Sequence, residues 1–390
     1  MIRVLHKGDE FGNDMIVKIR LTSGREIFGF ATRNTYGGDW DLGPTWNYLV
    51  LSDRPFLVDT GRRGMGTILI QMIESVGFKS KDLDSIYLSH GHEDHDGGVF
   101  EIVKGTGARV IANAIYSRLI QTYPEHAPAS EKESFPASCW RCLMPGAFVR
   151  ENCLSYHGER QRLHIEDLES PLHFVEDGIK AIHVPGHSPD STALFIDEEA
   201  LLAGDTILPD ITPHISLEES FLLTKDILPS QYIEAQQLYG LRCYLKSLNT
   251  LRAMGKILKD PFVLPAHRLY YNKKWNQVRA EERIDTLIGH HIQRCSDILD
   301  ILSRGPSNPG RIAKEYFDAK LLEGFGMNLA VSEVLSHCEL LRVSKDVVFG
   351  EEGKIQVTGG IHFESLIRGL EEDTRLFSDV PSSKKMKSLR

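Results

Sequence analysis

Apolar residues along this chain keep two periods. Short runs of three to seven, alternating or continuous and closed by Gly, Pro or Asp, predict strands at residues 17–21, 46–51, 56–58, 84–89, 109–115, 179–184, 193–197, 200–203 and 262–264. Between them, Ile68, Leu69, Met72, Ile73 and Val76 recur at helical spacing, as do Leu238, Leu241, Leu245, Leu248, Leu251 and Met254. Strands alternating with amphipathic helices predict an α/β architecture. From residue 275 onward the pattern changes. A helix through Ile284, Leu287, His291, Cys295, Ile298 and Leu302 stops at Arg304-Gly305-Pro306, and shorter helices follow at 309–317 and 327–341. Val347-Val348-Phe349 and Ile355-Gln356-Val357 then flank a Gly-rich turn. Three helices and a two-stranded wing predict a winged-helix unit over 275–360, with a mobile tail over 361–390, after a first domain over 1–274.

The predicted strands end in chemistry. His90-Gly91-His92-Glu93-Asp94-His95 follows the strand at 84–89, and such a cluster needs a partner that binds neutral nitrogen and anionic oxygen. His90 and His92, two apart at a strand end, can reach one divalent ion together. Asp94 and His95 point elsewhere, toward a second ion. His187 leaves another strand in a Pro-Gly turn and is the expected third ligand beside His90 and His92. Asp205, at the end of the strand at 200–203, has two oxygens with which to bridge two cations. His267, after Phe262-Val263-Leu264-Pro265-Ala266, completes a second set with Asp94 and His95. Asp59, also at a strand end, either orients a ligand histidine or caps the following helix. Glu93 is not at a ligand position, and His183 is packed or exposed by alternation.

Between residues 116 and 172 periodicity fades and prolines punctuate the chain, which predicts an insertion over this site. It carries Cys139, Cys142, Cys153 and His157, either a structural zinc site or packed thiols. With 45 basic and 54 acidic residues in 390, the net charge of −9 argues against a surface devoted to nucleic acid. No N-terminal leader or bilayer-length apolar run is evident, so a cytoplasmic protein without membrane contact is expected. The six cysteines are too few for a disulfide framework, and Cys243, Cys295 and Cys338 fall at core positions of predicted helices.

Asp59-Thr60-Gly61, the His-x-His-x-Asp-His loop, Pro185-Gly186-His187, Gly204-Asp205 and Pro265-Ala266-His267 follow the order seen in the metallo-β-lactamase superfamily, which the chain resembles over about residues 15 to 270. The resemblance implies an αββα sandwich. It implies one ion on His90, His92 and His187, another on Asp94, His95 and His267, and Asp205 between them. The C-terminal part, with Gly305-Pro306 and Glu333-x3-His337, resembles the branch holding lactamase-β-like endoribonucleases and fungal polyketide thioesterases. Ala266 stands where the family more often has glycine. His92, where redox diiron members carry glutamate, favours hydrolysis.

Zinc is the expected metal, with iron or manganese compatible with histidine and carboxylate donors. Asp94 is the expected acceptor for the proton of a water activated between the cations. A small-molecule thioester or ester such as an acyl-CoA is the first substrate class. An RNA or DNA phosphodiester is the second, and a non-enzymatic metal-stabilised regulator the third. Residues 306 to 360 hold six basic residues (Arg311, Lys314, Lys320, Arg342, Lys345, Lys354) against eight acids, so the winged helix lacks the cationic face that phosphate demands. It reads as a packing or homodimer module.

Overall fold

The computed structural model describes residues 2–34, 41–121, 134–136, 143–145, 154–169, 171–257, 260–324 and 326–370. Two sheets form the frame. The larger joins, in spatial order, β1 (Ile2–His6), β2 (Ile16–Arg20), β3 (Glu26–Thr32), β4 (Thr45–Val50), β5 (Phe56–Val58), β6 (Ser85–Tyr87), β7 (Arg109–Asn113) and β10 (Ile165–Leu168). Between β7 and β10 lies the hairpin of β8 (Ser134–Pro136) and β9 (Leu143–Pro145). The smaller sheet joins β11 (Leu172–Glu176), β12 (Ile179–His183), β13 (Thr192–Ile196), β14 (Ala200–Gly204) and β15 (Phe262–Pro265) in chain order.

Side-chain alternation stacks these sheets. Val17, Ile19, Trp46, Tyr48, Val50, Phe56, Val58 and Ile111 share one core with Ile179, Leu194, Ile196, Leu202 and Leu264 of the smaller sheet. The alternate residues face outward: Leu49, Leu57 and Val110 meet Leu69, Ile73 and Ile102 of helices Gly66–Ser75 and Val99–Thr106. On the other side Phe195, Leu201, Ala203 and Val263 meet Leu241, Leu245, Leu248 and Leu251 of helix Gly240–Ile257. Helix, sheet, sheet, helix is the layering the resemblance implied.

The C-terminal part continues that outer layer. Helices Ala280–Ser303, Pro309–Tyr316 and Gly326–Val343 precede the hairpin of Val347–Phe349 and Ile355–Val357. Their apolar residues, including buried Cys295 and Cys338, join the same core as helix Gly240–Ile257. Residues 363–368, read from sequence as the start of the tail, form a helix whose Phe363 and Ile367 are buried there. Asp346 anchors that helix, accepting from the backbone N–H groups of His362 and Phe363 at 2.7 Å each. None of the described helices is long and apolar enough to cross a membrane.

The weakly patterned stretch at 116–172 contributes more to the frame than expected. Helix Ala114–Gln121 occupies its start, helix Leu154–Arg160 lies within it, and β10 is the parallel edge partner of β7. Cys139, Cys142 and Cys153, and with them the zinc reading shared with His157, lie outside the described residues.

Glu339 of helix Gly326–Val343 docks the C-terminal helices on the loop after β14, accepting from the N–H of Glu218 at 2.9 Å and of Glu219 at 3.3 Å. Burial, with Glu218 and Glu219 nearby, outweighs these donors and lifts its pKa to about 7 from 4.5. The folded state therefore holds a proton that the unfolded chain releases, so the Glu339 contribution to stability falls as pH rises from about 4.5 to about 7. Denaturant unfolding of the parent and of Glu339→Gln should diverge across that window, the variant gaining relative to the parent as pH rises. A constant difference would contradict this.

Candidate metal centre

Strand direction assembles the site. β5 and β6 are parallel, and their C-terminal ends deliver Asp59 and the loop His90 to His95. In the smaller sheet β13 is antiparallel to both β12 and β14, while β14 and β15 are parallel, so β12, β14 and β15 run one way. Their ends deliver His187, Asp205 and His267. Bonds between the sheets fix the two edges together: Thr192 N–H donates to Ser89 O, Trp46 N–H to Ala266 O and the Tyr48 hydroxyl to Pro265 O, each at 2.7 Å. Two glycines permit the close approach. Gly186 has φ +129° with Tyr244 backbone where a Cβ would lie, and Gly204 has φ +52° against Ser89.

All seven sequence-expected residues come together. The facing ligand atoms of His90, His92, His187 and Asp205 lie within 4.8 Å of one another, as do those of Asp94, His95 and His267. His90 Nε2 is 3.0 Å from His92 Nδ1 and 3.2 Å from His187 Nε2, and the last pair is separated by 3.1 Å. Nitrogens held at 2.0–2.1 Å by one tetrahedral ion stand about 3.3 Å apart. Asp205 faces both groups: Oδ2 is 3.5 Å from Nε2 of both His95 and His187, and Oδ1 is 3.5 Å from His267 Nε2. Asp94 Oδ2 is 3.2 Å from His267 Nε2.

The outward nitrogens decide which lone pairs face inward. His187 Nδ1 lies 2.6 Å from the His214 carbonyl and His267 Nδ1 3.2 Å from the Pro44 carbonyl, so each Nδ1 carries the proton and each Nε2 is bare. His95 Nδ1 meets Asp59 Oδ2 at 2.9 Å, and His90 Nδ1 meets Ser89 Oγ, which donates to Asp59 Oδ2 at 2.7 Å. Asp59 thus contacts His95 directly and His90 through Ser89, as its first sequence reading expects of a residue that orients candidate ligands. Among the described residues, the Nε2 atoms of His95 and His267 and Oδ1 of Asp205 are buried and without a hydrogen bond.

Charge agrees with that donor set. Burial opposes ionisation of Asp94 and Asp205, yet His95 and His267 hold both carboxyls well below the usual carboxylate range. Burial likewise opposes a charged His95, and Asp94 and Asp205 override it, raising that imidazole well above its ordinary value. Two buried carboxylates therefore call for positive charge between the nitrogens, which divalent ions on these seven residues would supply.

Glu93 is outside the set, its Oε1 accepting from Arg63 N–H at 2.8 Å, and His183 Nε2 meets the Pro189 carbonyl at 2.7 Å. Sequence reasoning missed Asn34, a buried residue whose Nδ2 donates to Asp94 Oδ2 at 2.8 Å. A lone Asn before a Gly-rich turn carries no pattern that could have found it. A third group, His291, Glu333 and His337, is buried in the C-terminal helices. There the Arg294 guanidinium already sits 2.5 Å from Glu333, and this adjacent charge opposes a cation.

Comparisons with known proteins agree with the geometry. The chain is 24% identical over 196 residues to a lactamase-like protein of Pestalotiopsis fici, covering 50% of this chain and 49% of the relative. It is 27% identical over 180 residues to an N-acyl homoserine lactonase of Bacillus sp., covering 40% of this chain and 59% of the lactonase. It thus spans about half the length of the curated relatives it matches. A metallo-beta-lactamase family protein of Thermus thermophilus shares the fold with a TM-score of 0.58 at 22% identity, over 85% of this chain and 98% of that one. The family model described as Metallo-beta-lactamase superfamily matches residues 40–267, the span from shortly before β4 to the last histidine of the cluster. On motif order, layering and that match together, the chain belongs to the metallo-beta-lactamase superfamily.

Proposed function

We propose that this chain is a metal-dependent hydrolase of small thioesters or esters, holding one divalent ion with His90, His92 and His187 and a second with Asp94, His95 and His267, bridged by Asp205. The observation that carries the reading is Asp205, whose Oδ2 stands 3.5 Å from His187 of one group and 3.5 Å from His95 of the other, while Oδ1 stands 3.5 Å from His267. Zinc is the proposed metal by default, imidazole nitrogen and carboxylate oxygen being donors that zinc, iron and manganese all take. When bound, such ions polarise the electrophile and lower the pKa of water from about 15.7 to about 7.

The chain's own residues do the rest. Asp94 stays anionic and is held in place by Asn34, so its carboxylate is the acceptor for the proton of the attacking water. Ser89 and Asp59 lock His90 and His95, and the carbonyls of His214 and Pro44 lock His187 and His267, so the donor atoms need no rearrangement during turnover. Water oxygen adds to the acyl carbon, the carbon–sulfur or carbon–oxygen bond breaks, and a carboxylate and a thiol or alcohol leave.

Ester or thioester over phosphodiester is favoured by charge. Residues 306 to 360 carry two more acids than bases, and one relative is named for a lactone, which is an ester. The C-terminal helices and hairpin are then a winged-helix-like packing unit, with no nucleic-acid role. The test offers the zinc-loaded chain a panel of acyl-CoA thioesters, a lactone and a labelled single-stranded RNA. Cleavage of at least one ester or thioester well above RNA is expected. RNA cleavage faster than every ester and thioester would overturn the substrate class.

A further inference from the structure

Gly91 lies between His90 and His92, and both of its backbone polar groups are gripped from other parts of the chain. Its N–H donates to Asp190 Oδ2 at 2.8 Å, and Asp190 is itself fixed by the Ser188 hydroxyl in the turn that carries His187. Its carbonyl accepts from Arg160 Nη1 at 3.3 Å. That guanidinium is 1% exposed, an unusual burial for a charged group, and its described hydrogen bonds all run through Nη1, Nε and Nη2 having none among the described residues. Arg160 Nη1 meets Asp96 Oδ2 at 2.7 Å and the Tyr156 hydroxyl at 2.9 Å, and its carbon lies 4.6 Å from the centre of the Tyr156 ring. Asp96, fully buried, also accepts from the hydroxyls of Tyr116 at 2.9 Å and of Tyr156.

Asp96 is part of the short helix Glu93–Asp96 that carries Asp94 and His95, whereas Arg160, Tyr156 and Tyr116 come from the two helices within the stretch at 116–172. The network therefore ties that stretch to the metal loop at two points, one on each side of His92. Space is already taken: a Cβ on Gly91 would stand 2.9 Å from the Tyr116 ring and 3.3 Å from Asp190 Oδ2.

We propose that Arg160 and Asp96 are positioning residues that clamp the metal loop by the Gly91 carbonyl, so that His90 and His92 are set against His187 before an ion arrives. This rests on the ligand assignment above. Outer contacts of metal sites typically change affinity about 10- to 100-fold when removed. A purely structural pair behaves differently, because replacing both members of a buried ion pair by well-packed apolar or neutral groups often leaves stability unharmed.

The experiment uses the full chain with Co²⁺ as probe, read by its visible absorption and by competition with a chelator, well below the melting temperature of each variant. Arg160→Met leaves Asp96 its two tyrosine donors, and Asp96→Asn combined with Arg160→Met removes both charges. Each, when folded, should bind Co²⁺ about 10- to 100-fold more weakly at the His90, His92 and His187 group and show a shifted absorption band. A folded variant with parental affinity and spectrum overturns the clamp. Failure of the parent itself to bind Co²⁺ overturns instead the ligand assignment, so the two failures are distinct.

Discussion

Replacing Asp205 by alanine should lower kcat/KM for the best ester or thioester by about 10³-fold, equivalent to roughly 4 kcal/mol of transition-state stabilisation. Asp205 is the carboxylate of the set that touches both nitrogen groups, with Oδ2 3.5 Å from His187 of the first and from His95 of the second, and Oδ1 3.5 Å from His267 of the second. No other carboxylate in the set can take its place, because Asp94 is turned toward His267 and Asn34. The variant removes negative charge from between imidazoles that otherwise share it, so tightly held metal should fall together with activity. Asp205→Asn keeps one oxygen and the shape of the side chain, and should lie between parent and alanine variant in metal content. Elemental analysis alongside initial rates gives the answer. A rate within tenfold of the parent would remove the bridging role.

The second large effect is on stability. Arg294→Met should destabilise the C-terminal helices by about 3–5 kcal/mol, the usual consequence of leaving one member of a buried ion pair alone. Arg294 Nη1 is 2.5 Å from Glu333 Oε1, joining helix Ala280–Ser303 to helix Gly326–Val343, with both side chains close to fully buried. The guanidinium also packs over the rings of Tyr316 and Phe317, at 5.0 and 5.3 Å. Methionine retains much of that packing but abandons the Glu333 charge. Arg294→Met combined with Glu333→Leu removes the charge as well, and should recover most of the loss. Urea unfolding of the three proteins distinguishes the cases, and a single variant as stable as the parent would contradict the prediction.

Several candidate ligands were legible because they stand just after an apolar run, beside Gly or Pro, where strand geometry concentrates chemistry in α/β proteins, whereas Asp94 and His95 stand in the short helix Glu93–Asp96. His187 after Pro185-Gly186 and His267 after Pro265-Ala266 are of this kind. What holds the ligands was far less legible. The carbonyls of Pro44 and His214 orient two imidazoles, and a backbone carbonyl has no residue identity to read. Ser89 and Asn34 act through single hydrogen bonds formed only once distant strands pair. β10, Ile165-Glu166-Asp167-Leu168, escaped notice because an edge strand with two central acids lacks the apolar alternation that marks its neighbours. Arg160 was hidden for the opposite reason: a charged residue in a short helix reads as solvated until its partners are known.

β15, the last strand of the smaller sheet, lies beside β14 and brings His267 into place only after more than fifty intervening residues. During synthesis, a nascent chain that has already made the His90 loop and Asp205 is still short of a donor. A chain cut short ahead of His267 would lack one member of the second proposed set, however completely its first strands had paired.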